Sequence, residues 1–412
     1  MLAGPTRPGQ RGGSRVRSYV CGMTIGFSSR AVRSTCVLCV AGLLTLMPAA
    51  AAARAGRPDP GPPGTTTRPA SLYRPGTQVR PGPGAPGLPD VSALSWVVAD
   101  AGSGDVLAAH DAHRKLPPAS TLKTLFALTV LPVLPGGIRH EVRADELSGV
   151  GPGSSLVGVV EGHTYRVSDL WNGVFLNSGN DAVHVLASLT GGWNATAARM
   201  QARARALGAL DTHVRSPDGY DAPGQVSSAF DLAVFGRAGL ENPDFARYCG
   251  KVEAFFPGSE GGPYGIMNTN RLLTGADGVA PYPGLVGVKN GYTTHAGNTL
   301  IAAARRDGRT LVVTVMNPQD GGGHAVYEEA RSLLDWGFAA SGRVEPVGSL
   351  APDEDLAPSG PEATAPAPVV SARPTGHEPG WPDTGAILGA AGLGAGVMAL
   401  ALRLKLVRDD GS

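Results

Sequence analysis

Lysine is rare in this chain. Among 412 residues there are five, Lys115, Lys123, Lys251, Lys289 and Lys405, so nearly all the positive charge is arginine. A lysine inside a motif is therefore hard to ascribe to chance. Cysteine is rarer still: Cys21, Cys36, Cys39 and Cys249 are the only four. The formal net charge is +1, which gives no electrostatic case for nucleic acid or for an acidic partner. What the chain has in excess is glycine (59) and proline (35), together more than one compact fold uses, which points to linkers.

The N-terminus carries Arg15, Arg17, Arg30 and Arg33 and then the apolar run "CVLCVAGLLTLMPAAAAARA". Basic residues, a short apolar core and a small-residue cleavage site predict a secretory signal, with cleavage near Ala53 or Ala55. An apolar core this short fits a signal better than a membrane span. Residues 1–55 are thus expected to be extension and signal, and their removal takes three of the four cysteines. Cys249 alone remains, so the exported domain has no internal disulfide framework and must rest on a hydrophobic core. Residues 56–90, "RPDPGPPGTTTRPASLYRPGTQVRPGPGAPGLP" for the most part, predict an extended proline-rich linker. A second such segment covers 344–382. Then "GAILGAAGLGAGVMALAL" is uncharged and is followed by "RLKLVR". These features predict a single transmembrane helix over 383–403 with a short cytoplasmic tail, 404–412, and the globular part outside the membrane. "WPDTG" before that run resembles the wall-sorting pentapeptide of Gram-positive surface proteins, with Trp381 where leucine is usual.

Between the tethers, 91–343 reads as one globular domain. "LSWVVADAGSGDVLAAHD" is two apolar runs around a Gly-Ser-Gly turn, a hairpin. Helical periodicity follows from "PPASTLKTLFALTVLP", with Ser120 suited to the N-cap, and continues through "VSDLWNGVFLNSGNDAVHVLASL" and "TAARMQARARALGAL". Strands return at "GLVGVKN", "NTLIAAARR" and "TLVVTVMN", and "HAVYEEARSLLDWGF" is a closing helix. Strands at both ends with helices between predict an α+β fold: one antiparallel sheet assembled from the two termini, with an inserted helical subdomain. The cleft between the two is the natural place for a site.

Three short motifs carry chemistry. Ser120 and Lys123 form S-x-x-K, and positions i and i+3 of a helix share a face, so the amine reaches the hydroxyl. A serine is a weak nucleophile without an adjacent base. For Lys123 to serve near neutral pH its pKa must fall by an amount worth roughly 4 kcal/mol, which burial and a second cation can supply together. "NSGNDA" places Ser178, Gly179 and Asn180 at a helix start. Lys289-Asn290-Gly291 can be read in two ways. Asn-Gly is a strong signal for a tight hairpin turn, which would leave Lys289 solvated; but the polar residues after it argue for a strand whose lysine faces a substrate and supplies the second cation.

Together the three motifs resemble the signature of the active-serine penicillin-recognising enzymes, S-x-x-K, S-x-N or S-D-N, then K-T-G. The closer resemblance, over roughly 94–338, is to the D-alanyl-D-alanine carboxypeptidases, the low-molecular-weight penicillin-binding proteins. It implies the β-lactamase/transpeptidase-like fold, peptidoglycan stem peptides as substrate, β-lactams as inhibitors, and no metal or cofactor. It implies Ser120 as the acylated nucleophile, Lys123 as its base and Ser178 as a catalytic group. Asn180, Lys289, Asn290, Gly291, Tyr292 and Thr293 would bind substrate, with the backbone N–H groups of Ser120 and Tyr292 as the oxyanion hole. Two departures stand out. Asn290 occupies the place of the usual threonine, and no arginine precedes the last helix to pair with the substrate carboxylate, where His324 is the nearest offer. Two other readings remain. In a β-lactamase, an E-x-x-L-N glutamate would be expected after the Ser-Gly-Asn motif and is missing. The other is a wall-binding homologue with weak activity.

Overall fold

The computed structural model describes residues 71–259 and 261–351. Its main sheet has eight antiparallel strands, labelled here β1 (Thr77–Pro81), β2 (Ser95–Asp100), β3 (Asp105–His110), β4 (Leu285–Thr293), β5 (Gly297–Arg306), β6 (Arg309–Met316), β7 (Val344–Glu345) and β8 (Gly348–Ser349). The spatial order is β7-β1-β3-β2-β6-β5-β4, with β8 on β3. The sheet is built from both ends of the chain, and β4 is an edge strand. Its longer helices are α1 (Lys123–Val130), α2 (Val167–Leu176), α3 (Asn180–Ser188), α4 (Trp193–Ala206), α5 (Ala229–Leu240), α6 (Pro243–Cys249) and α7 (Ala325–Ala340).

The central strands are buried on both faces, so they read as continuous apolar runs rather than alternating ones. Period-2 geometry sends Val97, Ala99, Ile301, Ala303 and Val312 to one core with α1 through α6. It sends Val98, Leu300, Ala302, Val313 and Val315 to a second core closed by Val326, Ala330, Leu333 and Trp336 of α7. The architecture is thus a sheet between one long helix and a helical layer, the predicted α+β arrangement.

Several boundaries move. Residues 71–90, expected as linker, are ordered: β1 pairs Thr77 with His110 and Val79 with Ala108. Pro81 is tolerated because it ends its strand, where a missing N–H costs little. Likewise Val344–Glu345 and Gly348–Ser349, expected in the stalk, extend the sheet. The long helix expected through "VSDLWNGVFLNSGNDAVHVLASL" is two helices, broken where Ser178 adopts φ +58. Ser120 is not an N-cap. It lies within a 3-10 turn, Ala119–Leu122, that leads into α1. The strand β4 runs unbroken through Asn290-Gly291, so those residues are strand and the turn comes after Thr293. The predicted signal and transmembrane helix lie outside the described residues, among which no helix is long and apolar enough to cross a membrane.

Candidate active site

The 3-10 turn brings the first motif to the mouth of the cleft. Lys123 Nζ donates to Ser120 Oγ at 2.7 Å and to the backbone carbonyl of Asp218 at 2.8 Å. Lys123 is buried, and that burial lowers its pKa to about 8, while the charges of Asp218 and Asp181 oppose the fall. The amine is therefore a usable base close to neutrality. Just before Ser120, Ala119 is held at φ +51, a conformation that costs a non-glycine residue energy. The turn at Gly219 (φ +82) packs against the Ala119 carbonyl with no room for a Cβ.

The register of β4 decides where its side chains go. Lys289 pairs with Ile301, which faces the helical layer, and Asn290 pairs with Leu300, which faces α7. Lys289 therefore projects toward Lys123. It is buried, its Nζ donates to the Asn290 carbonyl at 2.8 Å, and its pKa lies well below the ordinary value because of burial first and the Lys123 charge second. Burial is the first cause at both lysines, and at Lys289 the neighbouring Lys123 charge adds to it.

Gly291 lies against the nucleophile. A Cβ there would sit 2.6 Å from the Ser120 nitrogen. Tyr292 follows Gly291 on the edge strand β4 and lines the same cleft as Ser120. Tyr292 is 67% exposed. A cavity of about 220 Å³ is lined by Ser120, Ser154, Asn180, Tyr220, Asp221 and Tyr292, with Thr293 at its rim.

The second motif sits in the opposite wall. Asn180 Nδ2 donates to Ser154 Oγ at 3.0 Å. Asn180 Oδ1 and Ser178 Oγ are buried without partners among the described residues, which marks polar groups reserved for something else. Asp181 ties this wall together: its carboxylate accepts from the N–H groups of Val157, Gly158 and Val159.

Two predicted substrate residues are otherwise engaged. Asn290 accepts from Thr269 Oγ1 at 2.9 Å and bonds the Tyr327 hydroxyl, which receives Arg271 Nη1 at 3.2 Å. Its side chain is thus part of a network behind β4. Thr293 donates its hydroxyl to Asp221 at 2.7 Å. His324 lines a different cavity, with Asp90, Ser92 and Glu329. Sequence reasoning missed Ser154, Asp218, Tyr220, Asp221 and Asp181. Of these only Asp181 had a signal, its place directly after Asn180. No group of three or more His, Cys, Asp or Glu suited to a metal occurs among the described residues.

A pH profile tests the lysine. Acylation needs neutral Lys123, so its second-order rate should climb about tenfold per pH unit below the pKa and level off above about 8. A stopped-flow rate that is flat from pH 6 to 9 would mean Lys123 is not the base.

Comparison with known proteins follows the same lines. The family profile described as D-alanyl-D-alanine carboxypeptidase matches residues 83–320. D-alanyl-D-alanine carboxypeptidase DacB2 of Mycobacterium tuberculosis is 41% identical over 266 residues, covering 64% of this chain and 88% of that protein. DacD of Escherichia coli is 34% identical, covering 62% of this chain and 65% of that protein. A crystal structure of the D-alanyl-D-alanine carboxypeptidase from Mycobacterium tuberculosis H37Rv superposes with a TM-score of 0.60 at 39% identity, covering 66% of this chain and all of that one. The Streptomyces K15 DD-transpeptidase superposes at 0.57 with 25% identity, covering 62% and 100%. With a buried lysine on the serine of S-x-x-K and these likenesses, the chain belongs to the D-alanyl-D-alanine carboxypeptidase family, serine hydrolases of the penicillin-binding fold.

Proposed function

We propose that this protein is exported and held at the cell membrane by its C-terminal segment, where it trims the terminal D-alanine from peptidoglycan stem peptides. The observation that carries the chemistry is the 2.7 Å contact between a buried, pKa-lowered Lys123 and Ser120 Oγ. Neutral Lys123 takes the Ser120 proton as Oγ attacks the penultimate D-alanine carbonyl, and the oxyanion forms against the backbone N–H groups of Ser120 and Tyr292. The C–N bond breaks, a proton passes to the leaving amine, a role the resemblance gives to Ser178, and D-alanine departs. Water then attacks the acyl-serine and regenerates the enzyme. Lys289 Nζ offers the anionic peptide end a hydrogen-bond donor. Export and anchoring rest on the arginine-flanked apolar run before Ala53 and on the uncharged run ahead of "RLKLVR".

The test is to give the detergent-solubilised protein a pentapeptide ending in D-Ala-D-Ala and, separately, a fluorescent penicillin. Stoichiometric D-alanine release with slow penicillin turnover is expected. Rapid penicillin turnover without D-alanine release would make it a β-lactamase, and transfer to an added amine in place of water would make it a transpeptidase. Neither labelling nor release would leave a wall-binding role.

A further inference from the structure

We infer that Asp221 is a positioning residue that holds the edge strand β4 at its working distance from Ser120. The inference rests on the carboxypeptidase reading above and adds to it a residue with no place in the three motifs. The turn at 218–221 touches every wall of the site. The Asp218 carbonyl receives Lys123 Nζ at 2.8 Å. The Asp218 carboxylate accepts from Ser216 Oγ at 2.7 Å and from the Tyr220 N–H at 3.0 Å, which fixes the turn. Gly219 packs on Ala119, beside the nucleophile. The Tyr220 hydroxyl donates to the Pro152 carbonyl at 2.9 Å, in the loop that carries Ser154. Asp221 completes the set by bridging the cleft. Its carboxylate takes the Thr293 hydroxyl at 2.7 Å and the His295 N–H at 3.2 Å, with His295 Nδ1 at 3.4 Å.

The bridge lands on the residue next to Tyr292. An edge strand is paired on one side only, here by β5, so its free end is the part of the sheet least fixed in place. Asp221 is 20% exposed in its side chain, and its bond to Thr293 of β4 is part-buried, so it is worth more than a surface contact. One four-residue turn thus fixes the base through its backbone and the oxyanion strand through its carboxylate, keeping the two in register.

The experiment measures penicillin acylation, separating the binding constant from the acylation rate constant, for Asp221→Ala, Asp221→Asn, Thr293→Val and the double variant Asp221→Ala/Thr293→Val, with D-alanine release in parallel. Displacing a catalytic donor by a fraction of an ångström to an ångström costs roughly 10- to 100-fold. Asp221→Ala is expected to lose about that factor in the acylation rate constant, with penicillin binding unchanged and D-alanine release falling in step. Asp221→Asn should recover most of it, because its carbonyl still accepts from Thr293. Thr293→Val should reproduce the loss, and the double variant should be no worse than either single one. Unchanged acylation in Asp221→Ala would overturn the inference, as would losses that multiply in the double variant or fall on binding alone. Wild-type protein that neither labels nor releases D-alanine would instead sink the carboxypeptidase reading itself.

Discussion

Gly291→Ala is expected to slow acylation of Ser120 by about 100-fold or more while leaving the protein folded. The added methyl would meet the Ser120 nitrogen at 2.6 Å, Thr299 Oγ1 at 2.9 Å and the Ala119 Cβ at 3.0 Å. None of the three yields easily. The Ser120 nitrogen belongs to backbone already constrained by Ala119 at φ +51 and by Gly219 packed beneath it. Thr299 Oγ1 donates to the Pro118 carbonyl at 2.9 Å. The clash is relieved only by moving β4 outward, which carries Lys289 and the Tyr292 N–H away from the nucleophile. Overpacking of this kind costs stability about 1–3 kcal/mol, so the melting temperature should fall by several degrees without loss of the folded state. The stopped-flow acylation rate and the melting curve, taken together, check it. A variant that acylates within threefold of wild type would show that the strand does not need its close approach to Ser120.

Much of this was legible in the sequence because the signals were local. The strands β2 and β3 announce themselves as apolar runs around Gly-Ser-Gly, and β4 to β6 follow in order. S-x-x-K needs only three residues' spacing to place an amine on a hydroxyl, and the structure does so, although through a 3-10 turn instead of a capped helix. What stayed hidden was set by distant partners. Residues 77–81 carry proline and no apolar alternation, yet they form a strand because His110, Ala109 and Ala108 offer an open ladder. The Asn290 side chain could not be aimed from the sequence, since its partners Thr269, Tyr327 and Arg271 come from three other places in the chain. Arg271 is a cation two hydrogen bonds behind Asn290, although the segment directly before α7, 317–324, holds no arginine of the kind the resemblance implies. Asp221 lies 72 positions from Thr293 in a turn of Pro, Asp, Gly and Tyr that reads as an ordinary loop. The buried carboxylate Asp181 was visible only as the residue after Asn180, and its three backbone partners are more than twenty positions upstream.

Ser120→Ala carries the largest effect of all. The variant removes the attacking oxygen and leaves Lys123 Nζ bonded to the Asp218 carbonyl, so the fold and the cavity have no reason to change. Loss of a covalent nucleophile removes the acyl route entirely, and a residual rate on the order of a thousandth of wild type or less is expected. Among the described residues the side-chain hydrogen bonds of Lys123 Nζ go to Ser120 Oγ and the Asp218 carbonyl, so no second hydroxyl shares its base. Thr121 is buried, and the thiol of Cys249, pushed up to about 12 by burial, is not a nucleophile at neutral pH.

The most direct measurement is the intact and peptide-level mass of the protein after brief exposure to a penicillin, for wild type and Ser120→Ala, with D-alanine release followed on the same samples. A single adduct on the peptide containing Ser120 in wild type is predicted, with neither adduct nor D-alanine release in the variant. An adduct on another residue, or D-alanine release that survives in Ser120→Ala, would contradict it.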